Sequence, residues 1–218
     1  MKAFSPVSSR YAVVTVDVVN SRGVDSFRKI RDQKLKAATA LHRKQKLIRS
    51  PYTITAWDEF QAVLTRSEYI PRIILDLRRI FYPLGLWIAV GIGEASGVDK
   101  VPINIHAGGE AFVRAREAAE ALKSGHSKFR ALTRFETGNE TFDTIANTIY
   151  GLQDSLLEGT TEKQWATLSL QLETGSQELT AKRLGVDIST VSRNLRRAHY
   201  GQLLETSRAM EAVLNRLA

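Results

Sequence analysis

The chain has no cysteine, which excludes disulfides, thiolate chemistry, iron–sulfur clusters and cysteine-based zinc sites. A chain without disulfides is compatible with the cytoplasm, and that is the expected location. No run of apolar residues approaches the ~18 needed to span a bilayer, so no membrane segment is expected. Residues 1–6, MKAFSP, place no apolar stretch behind the charge, and no signal peptide is expected. Histidine is scarce: there are 4, none at ligand spacing, and His106 reads as a loop residue. Acids are also in deficit, 23 against 31 Lys and Arg, which gives a formal charge of +8. That balance favours nucleic acid, an anionic nucleotide or an acidic surface as partner, without choosing among them. What the chain does have is apolar content, 43% of its 218 residues. This is enough for a packed core and suits one large domain or two small ones.

Residues 11–19, YAVVTVDVV, are apolar on both faces and valine-rich, the pattern of a central strand covered on both sides. Residues 21–49 are basic and made of good helix formers, with Leu35, Ala38, Leu41 and Leu47 as apolar points. Two β-prone runs, YTIT and FQAVL, flank Asp58-Glu59 and predict a hairpin with both acids near its tip. Ile70, Ile73, Ile74, Leu77 and Phe81 recur at helical spacing, and Pro83-Leu84-Gly85 ends that helix. LWIAVGIG, residues 86–93, reads as a buried strand. Residues 111–123 read as an alanine-rich helix with Phe112, Ala115, Ala119 and Leu122 on one face, and residues 129–135 as a last strand. The aromatics Phe81, Tyr82 and Trp87 read as core. The resulting order, β-α-β-β-α-β-α-β, defines an α+β class with helices over a sheet.

Asp17 stands near the end of the first strand, where a carboxylate must be paired, hydrogen-bonded or bound to metal. If strand and hairpin are neighbours, Asp17 and Asp58 converge at one sheet end. A divalent cation, Mg²⁺ or Mn²⁺, would relieve their repulsion and hold substrate phosphates. On spacing alone, Asp17 as a helix cap and Asp58 as a hairpin-tip turn residue is the favoured reading. The basic stretch after Asp17 carries Arg22, Arg28, Lys29, Arg31, Lys34, Lys36, Arg43, Lys44, Lys46 and Arg49, opposed by Asp25 and Asp32. It is either a solvated helix face or an anion-binding one, with backbone N–H groups near Ser21 and Arg22 open to a phosphate.

The element order together with VDVVNSR, AWDEFQ, VGIGEA and GGEAFVRAREA resembles the palm-type catalytic domain of class III nucleotidyl cyclases and diguanylate cyclases. The resemblance covers roughly residues 10–136 and implies a ferredoxin-like sheet with Asp17 and Asp58 as metal positions. Gly109, Ala111 and Ala115 match the small residues of that family's following helix. Where the cyclases carry glycines before the second acid, this chain has Ala56 and Trp57. The Trp57 side chain would fill the space a nucleotide uses, or stack on its base. The resemblance therefore implies a nucleotide near Ser21, Arg22 and Trp57 and commits no catalytic side chain.

Residues 139–158 read as a helix with Ile145, Ile149, Leu152 and Leu156 on its apolar side. Gly159-Thr160-Thr161 breaks the chain, dividing it into parts 1–158 and 161–218. Thr161 caps a helix with Trp165, Leu168 and Leu170 as core candidates. Next comes QELTAKRLGVDISTVSRNLRRAHY, residues 177–200. Ala181 is small where two helices cross, Gly185 suits a tight turn, and Val186 and Val191 would plug the angle between the helices. The segment LTAKRLGVDISTVSRNLRRA resembles the helix-turn-helix group of sigma-factor region 4 and LuxR-like proteins. That resemblance implies double-stranded DNA as partner, with Ser189, Thr190, Ser192 and Arg193 near base edges or adjacent phosphates and Arg196 and Arg197 on phosphates. A last helix with Leu203, Leu204, Met210, Val213, Leu214 and Leu217 offers a homodimer contact.

With both parts together the chain resembles the SatD family, a bacterial group. The expected function is a bacterial DNA-binding regulator whose palm-like part binds nucleotide and divalent metal. Two alternatives stand beside it: a nucleotidyl cyclase or oligonucleotide synthase localised by its helix-turn-helix, and a protein-interaction scaffold.

Overall fold

A valine-rich run with no polar face needs cover on both sides, and the first strand obtains it. In the computed structural model, which describes residues 10–100, 102–124 and 131–217, β1 spans Arg10–Val18 and is buried over its last seven residues. β2 (Thr53–Ile54) and β3 (Glu59–Val63) form the hairpin, with Asp58 at its tip. β4 (Leu86–Glu94) and β5 (Thr133–Glu136) complete a five-stranded sheet of order β2-β3-β1-β4-β5. β4 and β5 run parallel, and the other pairs are antiparallel. The order β2-β3-β1-β4 is a split β-α-β, ferredoxin-like arrangement with β5 added at one edge. Residues 129–130 of the expected last strand and the leading residues 1–6 lie outside the described residues.

The helices cover both sheet faces. α1 (Phe27–Lys44), α2 (Ile70–Phe81) and α5 (Glu140–Glu158) pack on the face that carries Val14, Val16 and Val18. α4 (Glu110–Lys123) packs on the opposite face, where Ala111 and Ala115 meet Val13. A Cβ added at Gly91 would lie 2.2 Å from the Ala111 carbonyl oxygen, so the glycine of VGIG lets α4 lie directly on β4. One helical turn, α3 (Ile103–His106), precedes α4 and ends at exposed His106, where the sequence predicts a loop.

After α5 the chain turns into α6 (Glu162–Thr174), α7 (Gln177–Leu184), α8 (Ile188–Arg197) and α9 (Tyr200–Leu217). The Thr161 cap is present as a reciprocal box: its hydroxyl accepts from Gln164 N–H at 3.4 Å, and Gln164 Oε1 accepts from Thr161 N–H at 2.9 Å. Leu168, Ala198 and Leu203 share a cluster with Leu75 and Leu157, so apolar contacts cross the break at 159–161.

Three side-chain expectations are corrected. On α5 the buried stripe is Phe142, Ala146, Tyr150 and Leu157, while Ile145, Leu152 and Leu156 are exposed and Ile149 is only half-buried. The helix carries two stripes at helical spacing, and long-range bonds decide between them. Asp154 accepts from Arg78 and from Leu132 N–H, and Asn147 holds the backbone of Phe135. On α9, Met210 and Leu214 enter the sheet's main core and Leu203 the cluster around Leu168. Leu203, Met210 and Leu214 of the face expected to contact a second copy are thus occupied within the chain, Leu204 is half-buried and Val213 exposed, and the side chain of Leu217 lies outside the described residues. Val186 is exposed and does not plug the helix angle, a place filled by Val191, Leu195 and Ala181.

Candidate functional site

Two places collect the residues singled out by the sequence. The first lies at the sheet end where β1 leaves the core. Asn20 takes a left-handed turn (φ 56°), a 3₁₀ turn spans Ser21–Gly23, and Ser26, also left-handed (φ 55°), opens α1. Ser21, Arg22, Ser26, Phe27, Trp57 and Asp58 are among the residues around an open cleft of about 680 Å³. The residues expected at a nucleotide, Ser21, Arg22 and Trp57, are therefore brought together. The α1 N-terminus on this cleft has no acidic residue in its first turn and no side-chain cap. Its positive dipole end is left without a carboxylate of its own.

Several of these groups already have partners. Ser21 donates its hydroxyl hydrogen bond to Asp58 Oδ2. The Arg28 guanidinium carbon stands 4.2 Å from the Trp57 ring centroid, and Phe27 stacks on the same indole at 6.1 Å. Buried Arg31 donates to the Trp57 carbonyl and to Asp32, pinning the hairpin tip to α1. Trp57 is consequently a fixed wall of the cleft, half open to solvent.

Asp17 and Asp58 reach the same sheet end, but their carboxylates have different partners. Asp17 pairs in register with Glu59 and faces the α4 side, where Lys123 Nζ forms an ion pair with it and sits 3.6 Å from Glu59 Oε2. Burial raises the Asp17 pKa above the ordinary carboxylate value. Lys123 counteracts that rise, and Asp58 and Glu59 add to it. For Lys123, burial pulls downward but is outweighed by the bond and charge of Asp17 and by the charges of Glu59 and Asp58, so its pKa is raised. As placed, these donors do not fit a divalent cation: an ammonium group holds Asp17, a hydroxyl holds Asp58, and no group of three or more metal-ligating side chains forms among the described residues. Lys123 was not singled out from the sequence. Its signal was a charge placed four residues after Ala119, where the small buried face of that helix continues.

The second place is the outer face of α8. Gly185, with φ 65°, ends α7, and Val186 N–H returns to the Ala181 carbonyl at 3.1 Å, so the chain reverses over residues 185–187. Ser189, Ser192, Arg193, Arg196 and Arg197 are exposed on α8, and Thr190 is half-buried. Arg193 donates to Thr190 Oγ1 at 3.1 Å, so these two act side by side. On the inner side, Val191 and Leu195 pack on Ala181, and Asn194 donates to Thr167 Oγ1 on α6 at 3.1 Å. Arg193, Arg196 and Arg197 make no ion pair among the described residues, and α8 itself carries no acid.

The family model of the SatD family matches residues 11–199, and the chain belongs to that family. A solved structure similar to part of its shape is a regulator of polyketide synthase expression from Bifidobacterium adolescentis. Identity is 16%, covering 94% of this chain and 82% of that one, with a TM-score of 0.33. A likeness that loose transfers neither fold nor role. No curated protein matches the chain. Among the described residues no helix is long and apolar enough to cross a membrane.

Proposed function

We propose that this SatD-family chain is a DNA-binding regulator, with α7, the 185–187 turn and α8 acting as a helix-turn-helix. The observation that carries this reading is the division of α8 into two faces. One is locked by Val191, Leu195 and Asn194. The other presents Ser189, Ser192, Arg193, Arg196 and Arg197 to solvent without acidic partners. Laid in a major groove, the start of α8 brings Ser189, Thr190, Ser192 and Arg193 to base edges or adjacent phosphates. Arg196 and Arg197 follow the phosphate backbone, the source of most affinity.

The α+β part serves in this reading as a sensor for an anionic ligand of the nucleotide type, taken up in the cleft of Ser21, Arg22 and Trp57 at the uncapped start of α1. Mg²⁺ or Mn²⁺ joins it only where Lys123 leaves Asp17. The synthase alternative has no support from this geometry, because both acids are engaged by the chain's own side chains. Dimeric binding, in turn, is supported by the exposed stripe Ile145, Leu152 and Leu156 on α5.

The test is fluorescence anisotropy of the full chain with random-sequence duplex DNA over a salt series. Binding that weakens steeply with salt, and shifts when a nucleoside triphosphate is added, is expected. Absence of binding at low salt overturns the DNA reading. Binding indifferent to nucleotide overturns the sensor alone.

A further inference from the structure

The basic stretch that follows β1 divides, once folded, into cations with partners and cations without. Arg31 is tied to Trp57 and Asp32, Lys34 Nζ donates to the carbonyls of Ile80 and Tyr82 at 2.6 and 3.0 Å, and Arg49 pairs with Asp99 at 2.8 Å. Lys36, Arg43, Lys44 and Lys46 are exposed and make no ion pair among the described residues. The local sequence supplies no acid for one: residues 33–57 contain neither Asp nor Glu, and Asp32 is held by Arg31. The buried stripe of α1 is Phe27, Arg31, Leu35, Ala38 and His42, so Lys36, Arg43 and Lys44 stand on its outer side. Like charges gathered there repel. The negative end of the helix dipole favours Arg43 and Lys44 in the last turn, but that influence fades within one turn and does not reach Lys36.

Spacing and shape narrow the partner. Lys36 and Arg43 are two turns apart, about 10 Å along the axis. Lys29, two turns earlier, extends the row to about 21 Å, the axial length of about six phosphates on one strand of a duplex. The residues exposed between Lys36 and Arg43 are Ala37 and Ala40, whose short side chains let a backbone come close. The outer side of α1 carries no exposed large apolar residue, so it lacks the wedge of a helix that lies in a membrane surface.

We propose that the outer row of α1, carried by Lys36, Arg43 and Lys44, is a second contact for duplex DNA, one that holds phosphates whatever the base sequence while α8 does the reading. This extends the DNA-binding reading above and rests on the same partner, but on different residues. Lys29 borders the cleft beside Trp57 and stays unchanged in the test, so that ligand uptake there is not disturbed.

The test is anisotropy of the full chain with a random-sequence duplex between 50 and 200 mM salt. One variant combines Lys36→Gln, Arg43→Gln and Lys44→Gln; another combines Arg193→Ala, Arg196→Ala and Arg197→Ala. Each lost phosphate contact removes about 0.9 from the slope of log affinity against log salt, so the α1 variant should lose about 2.7. Its fall in affinity across this salt range should be about 40-fold smaller than the parent's. The charge-preserving set Lys36→Arg, Arg43→Lys and Lys44→Arg should keep the parent slope. An unchanged slope in the α1 variant overturns the proposal, as does a charge-preserving set that loses as much as the glutamine set. If only the α8 variant loses slope, the helix-turn-helix reading stands and this proposal falls. If only the α1 variant loses it, the proposal stands and the helix-turn-helix assignment falls. A parent that binds no duplex at low salt overturns both. Poly-glutamate that displaces the duplex as well as unlabelled duplex does at equal charge would assign the row to an acidic protein and overturn the proposal.

Discussion

The α+β part and α8 use charge in opposite ways. In the α+β part, a small set of charged groups is buried and surrounded by its own partners, although the basic residues of α1 such as Arg28, Lys36 and Arg43 are exposed. Asp76, 2% exposed, accepts from Arg72 Nε at 2.7 Å and Arg79 Nε at 2.9 Å. His42 Nε2 stands 3.5 Å away, and its Nδ1 meets Tyr52 Oη at 3.0 Å. Arg78 and Asp154 form a second such centre. On α8 the three arginines have no acidic partner among the described residues. A cation with a buried partner holds the fold, and its removal strands a charge. A cation without one is available to a polyanion, and its removal leaves the fold alone. The two regions should therefore fail different assays.

The largest effect is expected at Arg78. Replacing it with Met leaves Asp154 buried without its counter-charge, a loss on the order of 3–5 kcal/mol. Urea unfolding measures it, and the fraction that stays folded should bind DNA as the parent does. Equal loss of DNA binding per folded molecule would break the division between the two regions.

Next in size is the response to acid. Burial pushes the Asp76 carboxyl up, but His42, Arg72 and Arg79 outweigh burial and hold it down at about 2, from 3.8. A depressed carboxyl contributes stability that is present in full above its unfolded value and lost as the pH falls toward the folded one. About 2 kcal/mol should disappear as the pH falls from about 4 to about 2. Asp76→Asn should lower stability at neutral pH and flatten that part of the pH profile. A profile of unchanged slope in the variant would assign the acid sensitivity elsewhere.

On α8 the expectation reverses. Arg196→Ala and Arg197→Ala should each reduce the slope of log affinity against log salt by about 1. Exposed sites of this kind change stability by no more than about 0.5 kcal/mol. A melting temperature that falls with the affinity would place these arginines in the fold rather than on the DNA.

What the sequence revealed follows the same division between local and distant partners. The Thr161 cap, the Gly185 turn, the α2 spacing Ile70, Ile73, Ile74, Leu77 and Phe81, and the valine run of β1 are each set by neighbours within a few residues, so pattern alone finds them. On α5 the pattern points to the wrong face because Ile145, Leu152 and Leu156 are more apolar than the stripe actually buried. The choice was made by Arg78 and by the backbone of Leu132 and Phe135, all distant in sequence. At the cleft, the pattern placed Ser21, Arg22, Trp57 and Asp58 together. It could not show that Lys123, 106 residues after Asp17, would lie against that carboxylate once α4 settled on Gly91.

That lysine gives the smallest and most discriminating change. Lys123 is half-exposed, so Lys123→Met should leave the chain folded and alter mainly the charge balance around Asp17. Burial, Asp58 and Glu59 all push the Asp17 pKa up, and Lys123 restrains it. Without it the carboxyl should titrate at higher pH, observable by carbon NMR of the side chain. A carboxyl whose folded pKa exceeds its unfolded one loses stabilisation as the pH rises through the interval between the two. The variant should accordingly become less stable, relative to the parent, as the pH climbs from about 4 toward neutrality. Adding Mn²⁺ near neutral pH then decides what the acids are for. Line broadening at Asp17 and Asp58 in the variant, absent in the parent, would mean that the ammonium group occupies a cation position the fold still provides. No broadening in either would leave Lys123 as a structural counter-ion and confine ligand chemistry at this sheet end to the cleft beside Trp57.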